Sequence, residues 1–331
     1  AGVFDAVRPS SPSTGNEGQP GITPNNLGEP KLGPERTREW EAGFEGSAFE
    51  SRLSFDFSYY NATTRDALVP VQAPPSEGFE DPQLRNVGEI QNKGIELELG
   101  FTPYQSEDLT LDLTAQFSTN DSEAKDLQGQ QLQIGFQSWR QWAREGSPVP
   151  AYYAVKVTNP NEIADPVYES DAYYGPAYPT HNYGFGLNVH FLRNFTFYAL
   201  TEGAGGHYMF AAVARQQATR GLWPQCNNVD DPGSQNALWR ARCEDREWSA
   251  FIMPGDFFKL RTLSLTYQMP EGLIPRASQA SLTLAANNVF KWTDYIGMDP
   301  ELTRGDRTLE RREYYHIPAG TQFTASLRIL F

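Results

Sequence analysis

The residues in this chain best equipped for chemistry are few and poorly placed for catalysis. Cys226 and Cys243 are the only thiols among 331 residues, and both fall in one stretch, 216–254, together with Pro224, Asn227, Asp230 and Pro232. An oxidising compartment would join them as a disulfide; two free thiols or a metal-binding pair are the alternatives, although no histidine lies in that stretch. The histidines, His181, His190, His207 and His316, show none of the spacings of a zinc site. Carboxylates are plentiful, yet no serine, histidine and aspartate can be picked out as nucleophile, base and orienting group. No enzyme activity, metal or cofactor is therefore expected. Aromatic side chains remain: Trp139, Trp142, Tyr152, Tyr153, Tyr173, Tyr174, Trp223 and Trp239 all lie outside periodic segments. Their faces can stack on sugar rings or peptide side chains while the polar tip donates a hydrogen bond. Trp139, Trp142, Tyr173, Tyr174, Trp223 and Trp239 are the candidates for substrate binding, although loop packing and interfacial girdles use the same residue types.

The elements that must carry these residues are set by composition. With 41 acidic and 27 basic residues the net charge is −14, which argues against a nucleic-acid partner. No apolar run exceeds about seven residues, far short of the ~20 that a spanning helix needs. Aromatic content is high, 20 Phe, 16 Tyr and 7 Trp, and it comes with 24 Pro and 28 Gly, as in many strands joined by turns. The favoured class is all-β.

Alternation supports that class. Leu53, Phe55, Phe57 and Tyr59 interleave with Arg52, Ser54, Asp56 and Ser58, and the same period of two returns at 95–101, 109–117, 183–191 and 323–331. Weaker cases at 37–48, 195–212, 255–268 and 279–290 bring the count to nine strands. The links between them alternate in length: short near 47–51, 103–107, 192–194 and 269–277, long over 63–89, 121–180, 216–254 and 291–318. A soluble sandwich would scatter its long loops over both ends. Segregated loops, strands of about ten residues, and one apolar face against one polar face describe an antiparallel transmembrane β-barrel with long extracellular loops and short periplasmic turns. His190 then faces the lumen with Glu96, Glu98, Asp112 and Arg328. Strand parity puts residues 1–36 among the loops, and 37–331 form the barrel portion. An open sheet of nine strands cannot sit in lipid with unpaired edges, so the chain is a piece of a larger barrel or a small barrel with one strand missed.

Four ordered phrases favour the larger barrel. Leu32-Gly33-Pro34-Glu35-Arg36-Thr37 with Glu39, Trp40, Glu41 and Gly43, and Asn86-Val87-Gly88 followed by Asn92-Lys93-Gly94-Ile95-Glu96-Leu97, resemble phrases of SusC/RagA-type TonB-dependent outer-membrane transporters. So do Gly255-Asp256-Phe257-Phe258-Lys259-Leu260-Arg261 and Asn288-Val289-Phe290-Lys291-Trp292-Thr293-Asp294-Tyr295 with Gly297, Asp299, Pro300 and Glu301. The resemblance implies a barrel of about 22 strands around a plug, of which this chain would be the C-terminal part, lacking the plug and the TonB-binding segment. Many relatives carry an acidic, cation-binding type of stretch between Pro148 and Pro179, but 159–170 lacks that spacing.

The same resemblance implies import of a bulky nutrient, a glycan or peptide, across the bacterial outer membrane. The partners would be a SusD-like surface lipoprotein, and TonB-ExbB-ExbD acting through the missing N-terminal part. Phe323, Leu327, Ile329 and terminal Phe331 resemble the signal read by the barrel-assembly machinery. A passive or adhesive barrel without TonB coupling is the alternative, since it would share every strand feature.

Overall fold

The computed structural model describes residues 7–14, 18–24, 28–71, 83–86, 88–134, 140–227, 235–302, 310–311, 313 and 315–331. Among these, nine long strands form one antiparallel sheet: β1 (Arg36–Ala48), β2 (Leu53–Arg65), β3 (Glu89–Gln105), β4 (Leu109–Thr119), β5 (His181–Phe191), β6 (Phe195–Gly205), β7 (Phe257–Gln268), β8 (Gln279–Trp292) and β9 (Gln322–Leu330). Each strand lies between its neighbours in sequence, and a short strand, Asp121–Asp126, adds to the start of β3. No helix among the described residues is long and apolar enough to cross a membrane.

The period of two fixes the register. Leu187, Ala199, Leu263, Ala286 and Phe323 lie side by side across β5 to β9. On the other face Asp56, Glu98, Gln116, Gly184, Glu202 and Lys259 form a row from β2 to β7. A slip of one residue would exchange these rows, placing carboxylates on the apolar face, so the alternation specifies the pairing. The sheet is one layer thick, which leaves large apolar side chains open: Phe44, Phe185, Leu284 and Phe323 are all exposed.

One expected strand is shorter than its pattern. The stretch 195–212 pairs as β6 only to Gly205, after which Gly206 takes φ +74° and donates its N–H to Asp256 Oδ1 at 2.9 Å. The chain leaves the sheet there, forms a two-stranded ribbon between Tyr208–Phe210 and Ile252–Pro254, and enters helix α1 (Ala212–Thr219). The alternation at 208–212 serves this second layer, not the barrel wall.

Where they are described, the long connections are packed. The one between β4 and β5 carries a four-stranded antiparallel sheet, Leu132–Ile134, Gln141–Ala143, Ala151–Val157 and Tyr168–Pro176. Against it pack helix α2 (Ala237–Cys243) and the turn Trp248–Phe251, and α1 packs on these two. Tyr152, Met209, Phe210, Ala211, Trp223, Phe251 and Tyr295 close a buried core. The main hydrophobic core thus sits in the loop layer, because the wall has no second layer to bury its own apolar face. Residues 10–14 and 20–24 of the N-terminal segment pair as a hairpin.

Candidate functional site

The outward face of the sheet carries two aromatic belts. At the long-loop end Tyr183 stacks on Phe258 at 6.1 Å, Phe258 meets Trp292 at 5.5 Å and Trp292 meets Phe290 at 4.3 Å. Further round the sheet, Trp40 meets Tyr59 edge-on at 5.4 Å. At the short-turn end Phe191, Phe195 and Tyr267 stack at 5.5 and 4.8 Å. Between the belts the outward residues are apolar, many of them aliphatic or small, such as Leu187, Ala199, Leu263, Leu265 and Leu284, with Phe185 and Phe197 among them. From Phe258 to Tyr267 the strand runs about 30 Å, which at barrel tilt spans the ~25 Å apolar band of an outer-membrane barrel. Such belts mark where headgroups meet hydrocarbon.

The inward face is polar. Asp56, Ser58, Glu96, Glu98, Gln116, Ser118, Asn182 and Glu202 line one open groove along it. His190 lies on this face and shares a 3.2 Å hydrogen bond with Thr196 Oγ1. Arg261 sits where β7 shifts register against β6 and β8, beside the Lys259–Glu202 pair. Its Nε donates to Glu202 Oε2 at 2.7 Å, and its Nη2 donates to Glu301. Lys259 donates to both oxygens of Asp299, at 2.8 and 2.9 Å, and to Glu301; Lys291 stands 3.5 Å from Asp299. Burial raises the carboxyl of Asp299, but the hydrogen bonds from Lys259 and from the Glu301 N–H outweigh it and hold the group below its usual value. Glu301 is likewise held down against burial by Arg261 and Lys259.

These contacts explain why the sequence phrases have their composition. The third phrase supplies Lys259 and Arg261, and the fourth supplies Asp299 and Glu301. The first two phrases also meet: Gly33 donates its N–H to Asn86 Oδ1 at 2.7 Å, and Asn86 Nδ2 donates to Gly33 O at 2.9 Å and to Asp66 O at 2.7 Å. Within the second phrase, Gly94 faces Thr119 O, which a Cβ would approach to 1.9 Å, and the Tyr60 hydroxyl, which donates to that same carbonyl at 3.0 Å. Composition alone gave no sign of these clasps; the pairing of phrases distant in sequence was the missing information.

The candidate binding aromatics separate into groups. Trp223 is buried in the loop core against Phe251, and Tyr174 packs on Tyr208 while its hydroxyl donates to Val155 O at 2.8 Å. Trp239 donates from its ring nitrogen to Gln225 O at 2.7 Å. Trp142 and Tyr173 come together through Tyr153: the Arg144 guanidinium lies 3.9 Å from the Tyr153 ring and 5.3 Å from that of Trp142, and Tyr153 lies 5.2 Å from Tyr173. Arg144 is fixed by a two-pronged bond to Asp171 at 2.7 and 2.8 Å. Trp139 lies outside the described residues. Cys226 and Cys243 form a disulfide with a Cα–Cα distance of 5.3 Å, tying the turn 224–227 to the end of α2. Phe323, Leu327 and Phe331 are exposed on the edge strand or just past it.

A single-layer meander with an apolar band between aromatic belts and a wet inner wall defines an outer-membrane β-barrel protein. The family model described as "TonB dependent receptor-like, beta-barrel" matches residues 4–289, and the chain belongs to that family. It is of the SusC/RagA type. TonB-dependent receptor P3 of Formosa agariphila is 24% identical over 94% of this chain, and receptor P39 of the same organism is 22% identical over 100% of it. The chain spans 36% and 39% of those two proteins. A solved structure of the RagAB peptide transporter superposes with a TM-score of 0.77 at 21% identity, covering 99% of this chain and 39% of that one. These relatives are named as receptors and transporters, none as an enzyme.

Proposed function

We propose that this chain is the C-terminal part of the barrel of an active importer that carries a bulky nutrient, a glycan or a peptide, across the bacterial outer membrane. The observation that carries the reading is the combination of family membership with a wall that is apolar outside, polar inside and roofed at one end by packed connections. β1 and β9 are the two edges of the sheet, and edge groups in lipid must find partners. The remaining strands of a barrel of about 22 would supply them, and the greater length of the relatives supports this. A plug and a TonB-binding segment would precede this part of the protein, with TonB-ExbB-ExbD supplying the pull and a SusD-like lipoprotein covering the long-loop end. Residues 1–36 belong to that same end, and the strand ending in Phe331 carries the signal for barrel assembly. The peptide transport named for RagAB makes peptide one cargo to test.

The experiment is uptake of labelled glycans and peptides by cells carrying the full-length receptor, with and without a proton uncoupler. Uptake that stops with the uncoupler supports active import. Uptake or adhesion indifferent to it would establish the passive barrel instead.

A further inference from the structure

The segment from Thr293 to Leu302 lies between the wall and the loop layer, and it is fastened to both. Its inner end is electrostatic. Glu301 lines the same groove as Glu202 and Arg261, and Arg261 is shared between these two carboxylates. Glu301 in turn is shared between Arg261 and Lys259, while Lys259 also holds Asp299. Its outer end is made of directional bonds to the loop core. Pro300 O accepts from Arg311 Nη2 at 2.9 Å, and Arg311 Nη1 donates to Ala177 O at 3.0 Å. The Arg311 N–H donates to Gln141 Oε1 at 3.0 Å, and Gln141 Nε2 donates to the Tyr152 hydroxyl at 2.9 Å. The Tyr295 hydroxyl stands within hydrogen-bond reach of Phe210 O, at 3.2 Å, and of the Glu313 carboxyl. The three connections that follow β4, β6 and β8 therefore converge on one strap.

We propose that this strap couples the charge state of the lumen wall to the order of the loop layer. The physical basis is competition. Arg261 has two carboxylate partners and Glu301 has two cationic ones, so an anionic group arriving in the groove can take Arg261 and leave Glu301 to Lys259 alone, whereas a cation that takes Glu202 releases Arg261 wholly to Glu301. Glu202 is the accessible member, with about half of its side chain open, whereas Lys259 and Asp299 are nearly buried. A change at the accessible end moves Glu301, and Pro300 beside it carries the change to Arg311, Gln141 and Tyr152. Coupling of this kind requires an element with two discrete arrangements that both ends bias, and the shared ion pairs supply them.

The proposal rests on the lumen being the transport path, but its test reads backbone order and not transport, so its failure leaves the import reading standing. The full-length receptor in detergent is subjected to amide hydrogen exchange as wild type, E202Q, E301Q and E98Q. The reporters are the Tyr153 N–H, bonded to Arg140 O at 3.1 Å, and the Ala177 N–H, bonded to Pro150 O at 2.9 Å, neither of which touches a substituted residue. E301Q should speed exchange at both reporters by about tenfold, the effect of losing one charge-assisted hydrogen bond, and E202Q, which leaves Arg261 to Glu301 alone, should slow it. E98Q, on the same wall outside the network, should leave them unchanged. The double variant E202Q/E301Q should match E301Q, because Glu202 acts on the strap only through Arg261 and Glu301. Faster exchange confined to 293–302, an equal response to E98Q, or independent, multiplying effects in the double variant would overturn the proposal. If E301Q fails to assemble, R261K keeps the charge, loses the forked geometry, and is held to the same two reporters.

Discussion

The Lys259 ammonium lies 2.8 and 2.9 Å from the two oxygens of Asp299, 40 positions further along the chain, and both side chains are almost closed to solvent. A charge pair so enclosed is costly to break, because Lys259 would keep only Glu301 and Asp299 only the more distant Lys291. Lys259 comes from the wall and Asp299 from the connection after β8, so the pair fixes how that connection leaves the barrel.

Substituting one member, as K259M or D299N, should loosen that connection at a cost of about 1–3 kcal/mol in local stability. Protease digestion of outer-membrane vesicles should then cut within 293–302 while the barrel stays heat-modifiable. The carboxyls of Asp299 and Glu301 are held below their ordinary values of 3.8 and 4.5, burial being outweighed by their cationic partners. A carboxyl depressed on folding contributes its stability above the unfolded value and loses it as pH falls through the folded one. Cleavage in 293–302 should therefore stay low at neutral pH and rise only below about pH 4.

Gly94→Ala should lower the amount of assembled barrel, since its Cβ would fall 1.9 Å from Thr119 O and 2.7 Å from the Tyr60 hydroxyl. Backbone must shift to admit it, at roughly 1–3 kcal/mol or more. The measurement is the heat-modifiable fraction on gels; Gly129→Ala, where nothing stands within 4 Å but φ is +73°, compares strain without collision.

Glu313 responds to pH in the opposite sense to Asp299. Burial holds its carboxyl above the ordinary 4.5, even though the Tyr295 hydroxyl donates to it. A carboxyl raised on folding contributes fully below its unfolded value, and that contribution disappears as pH climbs through the raised one. E313Q should thus make the loop layer's protease resistance flat across this range and at least as high as wild type at neutral pH. A steeper loss in E313Q than in wild type would reverse this assignment.

Alanine substitution should sort the aromatic candidates by burial. Trp223→Ala and Tyr174→Ala remove parts of the loop core, so surface abundance or protease resistance should fall, by about 3–5 kcal/mol of local stability for the tryptophan. Trp142→Ala and Tyr173→Ala should leave abundance intact and, if that cluster contacts cargo, weaken binding by about 1 kcal/mol or more. Normal binding by both would leave Trp239, or Trp139 outside the described residues, as the place to look.

Reducing the bond between Cys226 and Cys243 should act locally. It closes a span of 17 residues, for which chain entropy gives roughly 3 kcal/mol. Cleavage between Trp223 and Phe251 should increase after reduction while the barrel remains folded, because the wall's hydrogen bonds run between strands.

The wall was legible in the sequence because one rule governs it. Every second residue faces lipid, so Leu97, Leu99 and Phe101 declare their side without knowledge of the neighbours, and link lengths declare the two ends. The loop layer obeys no such rule. Its core is assembled from Tyr152, Phe210, Trp223, Phe251 and Tyr295, drawn from three connections, and no local period reveals that they meet. The same cause hid the exit of the chain at Gly206, where Asp256, 50 positions later, takes the free N–H. Of the aromatic candidates, exposure and burial could not be told apart from spacing, since a stacked core tryptophan and an open one have the same neighbours in sequence. The phrases located Lys259 and Asp299 but not their bond.

β3 is longer than the membrane requires. Its 17 residues begin at Glu89, yet the outward face turns aliphatic only at Ile95, above which stand Lys93 and Gln91. The run from Glu89 to Ile95 adds about 20 Å along the strand, or about 15 Å of height at the tilt of a barrel. β2, paired to it residue for residue, ends its outward face in Asn61, Thr63 and Arg65 over the same height. At β2 and β3 the wall therefore has freeboard: a hydrogen-bonded collar standing clear of the apolar band, to which the loop layer is joined through Asp121–Asp126. On the import reading proposed above, cargo would be walled in by sheet on this side before it reached the level of the lipid headgroups, and a thicker bilayer would meet the collar before it met the loop layer.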